Sequence, residues 1–491
     1  MEKSNTNKAI KGMSSQSFVT LALGIIEIGS FSIMSRLLSQ EDFGYYAAIT
    51  AITTIFSSFS DTGMGAAIIQ RKDITERFVN NAFTFSFLVG VFLSFLLVCL
   101  ARPLADGVSD ASMTVPLMIM SFPLFCHCVS SVQFSIMKRR LQFMKVGFIL
   151  MISTLIASII SIILAYYGLG YYAIISRAVL SSFLGLLFSH IAAHTKFSFA
   201  LDKETFGEIF GFSGWLTASV FLRNLASQMD KLLMTNLLSV TALGAYNRPK
   251  EFVNHITSKL GGIFDTALFP ILSQLQDDKA RTRSAYMKSM YILNLFAVVA
   301  SMGMFFNAEL VIRIFFGVKW LSILPTLQIL SLYMIFHYDG RLADCFLRSL
   351  GLTKQQFKFR FIQVIIYSIG ILISYRWGIN GIAISVVLCD AIMVILKHLY
   401  IASKIDLQFS DGITVLVKSW KIGVINLPVL LGVYYFSSGS ITGCIVSALI
   451  YLLLIIVEFV AFPNIIGKQY KEEFYPQIRS TIIKRINKRK I

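Results

Sequence analysis

The sequence predicts an all-α polytopic membrane protein with about fourteen spanning helices. Three observations carry that prediction. Of the 491 residues, 56% are hydrophobic and only 14% charged, with a mean hydropathy of +0.71. A soluble chain carries about 25% charge and has no means of hiding so much apolar surface. Apolar runs of about 20 residues, each long enough to cross a ~30 Å hydrocarbon core, follow one another along the chain up to the tail after Pro463. Finally, the net charge of +18 is unevenly spread. With the N-terminus placed in the cytoplasm, Arg36, Arg102, Arg313, Lys319 and Arg376 are the cations of the outer loops, and the inner loops and tails hold most of the rest. That is the positive-inside pattern, so both termini are expected in the cytoplasm and the basicity serves topology, not nucleic acid. The basic start runs into an apolar stretch, Phe18–Leu38, too long for a cleavable signal.

In order, the first predicted span, 14–37, sets Glu27 among apolar residues, and the second, 43–66, follows an outer turn expected at Asp42-Phe43-Gly44. Asp61 lies near the inner end of the second span, beside Gly63 and Gly65. Spans 79–101 and 112–137 are nearly free of charge. Cys126-His127-Cys128 shows no fourth ligand and its side chains diverge on a helix, so no metal is expected. All six cysteines fall inside spans and read as structural thiols. A Gly-aromatic turn joins spans 146–166 and 170–193, and Arg177 lies about a turn and a half beyond that aromatic belt. A position facing a cavity is expected for it.

A polar stretch at 194–206 reads as a cytoplasmic linker. The span at 212–236 then places Arg223, Ser227, Asp230 and Lys231 in one arc, opposite Leu222, Leu225, Met229 and Leu232. Ionisable groups in hydrocarbon cost roughly 2.5–3.5 kcal/mol each even on insertion scales, so the arc is expected to face water or other helices. Arg248, Glu251, His255 and Lys259 form a stripe on span 243–274, and His337, Arg341, Asp344 and Arg348 repeat its spacing on span 322–347. Pairing within each stripe is the plain structural reading, but cations exceed acids in both, which suits an anionic ligand. Spans 286–306, 357–375, 379–401, 415–436 and 440–462 complete the set, with Asp390 isolated and Glu458 read as interfacial.

Two internal repeats organise the chain. Leu37-Leu38-Ser39 with Gly44 returns as Leu237-Leu238-Ser239 with Gly244, and Gly168, Ala173 and Ile174 return as Gly378, Ala383 and Ile384. The expected division is an N-lobe at 1–193, the linker at 194–206, a C-lobe at 207–403, two further helices within 404–462, and a basic cytoplasmic tail at 463–491. Six spans per half give halves of parallel topology.

No P-loop, Gly-x-Ser-x-Gly, His-Glu-x-x-His or nucleotide fingerprint occurs, so no enzyme activity is expected. A two-lobed helical bundle with a charged seam describes a secondary transporter. The runs SRLLSQEDFGYYAAITAI and FSDTGMGAAIIQRKDIT, then FSGWLTASVFLRNLASQMDKLLMTNLLSVTALGAYNR and ALFPILSQLQDDKARTRSAY, resemble bacterial polysaccharide flippases of the Wzx type. The likeness is greatest to the WzxC-like branch of the MOP (MVF/MATE) superfamily and extends more loosely over the whole chain. It departs from that pattern at Asn247-Arg248-Pro249, where small residues are expected.

The resemblance implies two six-helix lobes around a central cavity and the flipping of undecaprenyl-diphosphate-linked oligosaccharide across the cytoplasmic membrane. It also implies possible H⁺ or Na⁺ coupling, no other cofactor, contact with membrane lipid, and partnership with polymerase and chain-length proteins. On that basis Arg177, Arg223, Lys231, Arg248, Lys259 and Arg341 are the expected contacts to the diphosphate. Glu27, Asp61, Asp230, Glu251 and Asp344 are expected to balance those charges or exchange the coupling ion. The alternatives are a MATE-like cation antiporter, which favours an acidic or aromatic cavity, and a membrane glycosyltransferase or polymerase, which requires a large outer loop.

Overall fold

The computed structural model describes residues 22–60, 74–108, 110–193, 198–200, 203–275, 278–437 and 439–460, with positions 19, 65, 68, 69, 472 and 476. The side chains of 203–217, 219, 259, 260, 263–267, 270, 271, 409, 436, 437 and 460 fall outside the description. Among the described residues regular structure is helical throughout. The helices are α1 (22–37), α2 (Gln40–Ser57), α3 (Glu76–Gly107), α4 (Ser121–Arg139), α5 (Phe143–Tyr166), α6 (Tyr171–Ala193), α7 (Lys203–Leu237) and α8 (Val240–Gln274). They continue as α9 (Lys279–Phe306), α10 (Leu324–Ser349), α11 (Thr353–Ser374), α12 (Gly378–Lys404), α13 (Phe409–Ser437) and α14 (Ile441–Val460). Nine helical stretches among the described residues are long and apolar enough to cross a membrane, α11 and α12 counting as one. The chain is an all-α polytopic membrane protein. The 35-residue helices α7 and α8 are not among the nine; both carry the charges singled out above.

Local chemistry places the helix starts. Ser39 and Asp42 form a capping box: Ser39 Oγ accepts the Asp42 N–H at 3.1 Å and Asp42 Oδ2 accepts the Ser39 N–H at 2.9 Å. The turn therefore lies at Leu38–Ser39, and Asp42-Phe43-Gly44 belongs to the first turns of α2, not to a loop. Thr75 caps α3 by accepting the Phe78 N–H, and Asp278 caps α9 by accepting the Arg281 N–H. Asp110 caps the short turn Ala111–Met113, its carboxylate accepting from the Ser112 N–H and the Tyr45 hydroxyl. Burial alone would raise its pKa, but hydrogen bonds from the Ser112 hydroxyl and N–H and from Tyr45 hold it below the ordinary carboxylate value. At the departure noted in the sequence, α8 continues through Pro249.

The repeats have structural counterparts. Ser239 Oγ accepts the Ala242 N–H, as Ser39 does for Asp42. A Cβ on Gly44 would stand 1.9 Å from the Val240 carbonyl oxygen, and one on Gly244 would stand 1.8 Å from the Gln40 carbonyl oxygen. Gln40 pairs with Gly244 as Val240 pairs with Gly44, so α2 and α8 cross through reciprocal glycine-to-backbone contacts related by the 200-residue offset. Only glycine allows backbones this near. Gly168 and Gly378 both take positive φ, +82° and +64°, at the turns that start α6 and α12, and Ala173 and Ala383 are both fully buried. Ile174 and Ile384 differ: the first is buried, the second exposed.

The chain forms two compact units, Met1–Arg248 with Arg360–Ile379, and Pro249–Phe359 with Asn380–Ile491. In the first unit, α3 and α4 enclose Phe78, Phe85, Val132 and Ile136. In the second, α9, α10, α12 and α13 share a core containing Tyr286, Met290, Leu342, Phe346, Ile401 and Val415. The last two helices are built into that unit. Tyr451 of α14 covers the bare face of Gly303 and donates to the Val299 carbonyl of α9. Glu458, expected at an interface, is buried and accepts from Asn426 Nδ2 at 2.9 Å. A buried carboxylate keeps its place by such a partner.

Candidate functional site

In the first unit, the polar arc of α7 divides. Arg223 and Ser227 are exposed and Lys231 is half-buried, whereas Asp230 is fully buried. The Tyr246 hydroxyl of α8 donates to Asp230 Oδ2 at 2.7 Å, and Asn224 Nδ2 donates to Ser58 Oγ at 2.9 Å. Part of the arc thus tightens the packing of α7, and its Arg223 edge remains accessible.

Arg248 is 6% exposed. Its Nε and Nη2 donate to Ser35 Oγ at 3.2 and 2.9 Å, and Nη2 also donates to the Phe31 carbonyl at 3.0 Å. The guanidinium lies between two phenyl faces, 3.4 Å from the centre of Phe31 and 3.8 Å from that of Phe43. A planar cation with fixed donors suits this slot, and a lysine does not reproduce it. Arg248→Lys is expected to lower stability by about 1.5–3 kcal/mol, the usual worth of hydrogen bonds to a charged group. Thermal unfolding of the purified protein measures this, and an unchanged transition contradicts it.

Arg177 is half-buried on α6 and makes no hydrogen bond or ion pair among the described residues. Glu27 is half-buried on α1. Asp61 and the side chain of Lys259 lie outside the described residues.

In the second unit Glu251 is half-buried. Arg341 lies against Gly261 of α8, where a Cβ would approach its Nε to 2.7 Å. Asp344 is buried, and Lys397 Nζ of α12 stands 2.8 Å from its Oδ1. The helical stripe showed Asp344 beside Arg341 and Arg348, but a partner from α12 leaves no trace in local spacing. A second pair went unseen in the sequence: Asp339 of α10 faces His398 of α12. Its signal was the consecutive Lys397-His398 near the end of a span, 379–401, whose other charged side chain is Asp390.

The accessible cations, Arg223 foremost, can meet an anion, and Arg binds phosphate oxygens through a two-pronged donor fork. A helical membrane bundle with basic groups set into its spans fits a membrane transporter of the polytopic α-helical class. Residues 33–325 match the family described as polysaccharide biosynthesis protein, and the chain belongs to that family. It is 26% identical over 411 residues to a membrane protein of the cps region of Klebsiella pneumoniae, covering 81% of this chain and 82% of the relative. It is 23% identical over 428 residues to the lipopolysaccharide biosynthesis protein WzxC of Escherichia coli, covering 83% and 85%. Its fold is similar to that of the lipid II flippase MurJ in an inward closed conformation, with a TM-score of 0.71 at 15% identity over 91% of this chain and 98% of that one.

Proposed function

We propose that the chain flips lipid-linked oligosaccharides, carried on a polyprenyl diphosphate, across the bacterial cytoplasmic membrane for surface polysaccharide synthesis. The observation that carries this is the exposed Arg223 with Lys231 on α7, in a member of the polysaccharide biosynthesis family. An arginine facing lipid would cost several kcal/mol (roughly 2.5–3.5 on insertion scales), so the Arg223 edge faces water, where an anionic headgroup passes. Arg177, Arg223, Lys231, Lys259 and Arg341 contact the diphosphate. Arg248 is assigned to joining α8 to α1 and α2. Glu27, Asp61, Asp230, Glu251 and Asp344 balance these charges or take part in ion exchange.

The chain acts by alternating access between the halves 1–193 and 207–403, with both termini in the cytoplasm. The crossing of α2 and α8 then joins one half to the other. Polymerase and chain-length proteins receive the product. The test is a leaflet-accessibility assay with purified protein in vesicles and a lipid-diphosphate oligosaccharide. The wild type should equilibrate the lipid between leaflets, and Arg223→Ala should slow it about tenfold, or roughly 1.4 kcal/mol. A wild type that moves none of this lipid, with or without ion gradients, defeats the reading.

A further inference from the structure

Four polar side chains gather inside the second unit. Asp339 on α10 is 3% exposed, and its Oδ2 lies 3.1 Å from Nε2 of His398 on α12. The other imidazole nitrogen, Nδ1, is in hydrogen-bond contact with the Tyr286 hydroxyl on α9. Asn294 Nδ2, also on α9, donates to Asp339 Oδ1 at 3.1 Å. All four line one cavity of about 330 Å³, closed mainly by apolar groups, with Leu416 and Trp420 of α13 among them. A purely structural role explains this poorly, since replacing a buried ion pair by well-packed hydrophobic residues is often neutral or stabilising. Ionisable groups held inside a membrane bundle mark ligand or proton pathways by default.

We propose that Asp339 and His398 form a proton-binding site, with the cavity as the proton's way in and out. Imidazole is the side chain whose charge ordinarily changes between pH 5 and 8. In the step itself a water-borne proton adds to a ring nitrogen of His398, one N–H bond forms, and the pair goes from a net charge of −1 to 0. Release returns the proton to water. A hard cation such as Ca²⁺ or Mg²⁺ would seek oxygen ligands all round, and here an imidazole nitrogen faces the carboxylate; no third His, Cys, Asp or Glu joins the pair among the described residues to hold a softer metal.

The surrounding charges are largely settled among themselves. Asp344 and Lys397 pair on the same two helices, and His337 is engaged through Nδ1 with Tyr333 at 2.7 Å. Arg341 packs on Gly261 of α8, Arg283 of α9 pairs with Asp411 of α13 at 2.5 Å, and Asp390 lies two turns back along α12. No charged group of α13 lines the cavity. Among the described residues two charged pairs join α10 to α12, and the Asp339–His398 pair is balanced only when His398 holds its proton. That makes the α10–α12 seam responsive to pH.

The site stands on its geometry; only its use, coupling an H⁺ gradient to transport, rests on the flippase reading. The test takes the full chain in lipid nanodiscs with isotope-labelled histidine and follows the imidazole resonances from pH 5 to 9. One titrating signal should vanish in His398→Gln, and Asp339→Asn should alter its titration, because the imidazole no longer faces a carboxylate. Should His398→Gln fail to fold, Tyr286→Phe identifies the same signal by removing only the hydroxyl against Nδ1. A His398 signal that does not titrate, or a midpoint indifferent to Asp339→Asn, overturns the site. In vesicles, an imposed pH gradient should change the wild-type flipping rate and leave the His398→Gln rate unchanged. A wild type that flips regardless of the gradient overturns the coupling while the titration upholds the site. A wild type that flips nothing overturns the flippase reading, and the titration still judges the site alone.

Discussion

Gly44→Ala and Gly244→Ala are each expected to destabilise the protein severely, and the double variant is expected to cost far less than the two together. The added methyl in either case lands within 2 Å of a backbone carbonyl oxygen of the opposing helix. Backbone cannot swing aside as a long side chain can, so α2 and α8 must separate. Overpacking typically costs about 1–3 kcal/mol, and rigid backbone on both sides puts these variants at or above the top of that range. Once the first methyl has parted the helices, the second finds room, so the interaction energy between the two substitutions should exceed about 1 kcal/mol, as for residues in direct contact. Thermal unfolding of the three variants measures the cycle. Additive effects would mean that the two contacts are independent and that the crossing is not a single reciprocal joint. Residue size should grade the loss further, with valine worse than alanine at both positions.

That joint illustrates what was legible in the sequence. The recurrence of Ser39 and Gly44 as Ser239 and Gly244 could be read directly, because helix caps and close-approach glycines are local requirements written in residue type. That the two copies touch each other could not, since an offset of 200 residues says nothing about which helix a bare glycine faces. The turn before α2 was misplaced for a related reason. Asp42-Phe43-Gly44 has turn-like composition, but Asp42 serves as the third residue of a capping box and Gly44 is there for the partner helix.

The candidate site divides along the same line. Hydropathy and helical spacing were enough to find Arg223, Asp230 and Lys231 on one arc. They could not foretell that Asp230 turns inward to Tyr246 while Arg223 stays exposed. Arg248 looked like a member of a basic stripe, yet its surroundings are two phenyl rings, a serine and a carbonyl supplied by residues more than 200 positions earlier. Asp339 and His398 escaped because each is a single polar residue on its own helix, and the pair exists only through tertiary packing.

The Asp344–Lys397 pair offers the second large effect, and it decides what Asp344 is for. Both side chains are nearly buried, 10% and 5% exposed, at 2.8 Å. Removing one partner strands a charge in a medium that solvates it badly, which costs about 3–5 kcal/mol. Lys397→Met and Asp344→Leu are therefore each expected to lower the unfolding temperature strongly and to reduce the yield of folded protein. The double variant, with no charge left to strand, is expected to recover most of the loss, because two apolar residues of similar volume replace a buried ion pair at little or no cost. If Asp344 serves only to hold α10 against α12, the recovered double variant should flip lipid-linked oligosaccharide at the wild-type rate. If Asp344 also takes part in charge balance or ion exchange during transport, the double variant should be stable and slow. Unfolding temperature and leaflet exchange measured on the same preparations separate the two. A double variant no more stable than its worse parent would show that the 2.8 Å contact is not the interaction that holds these two helices together.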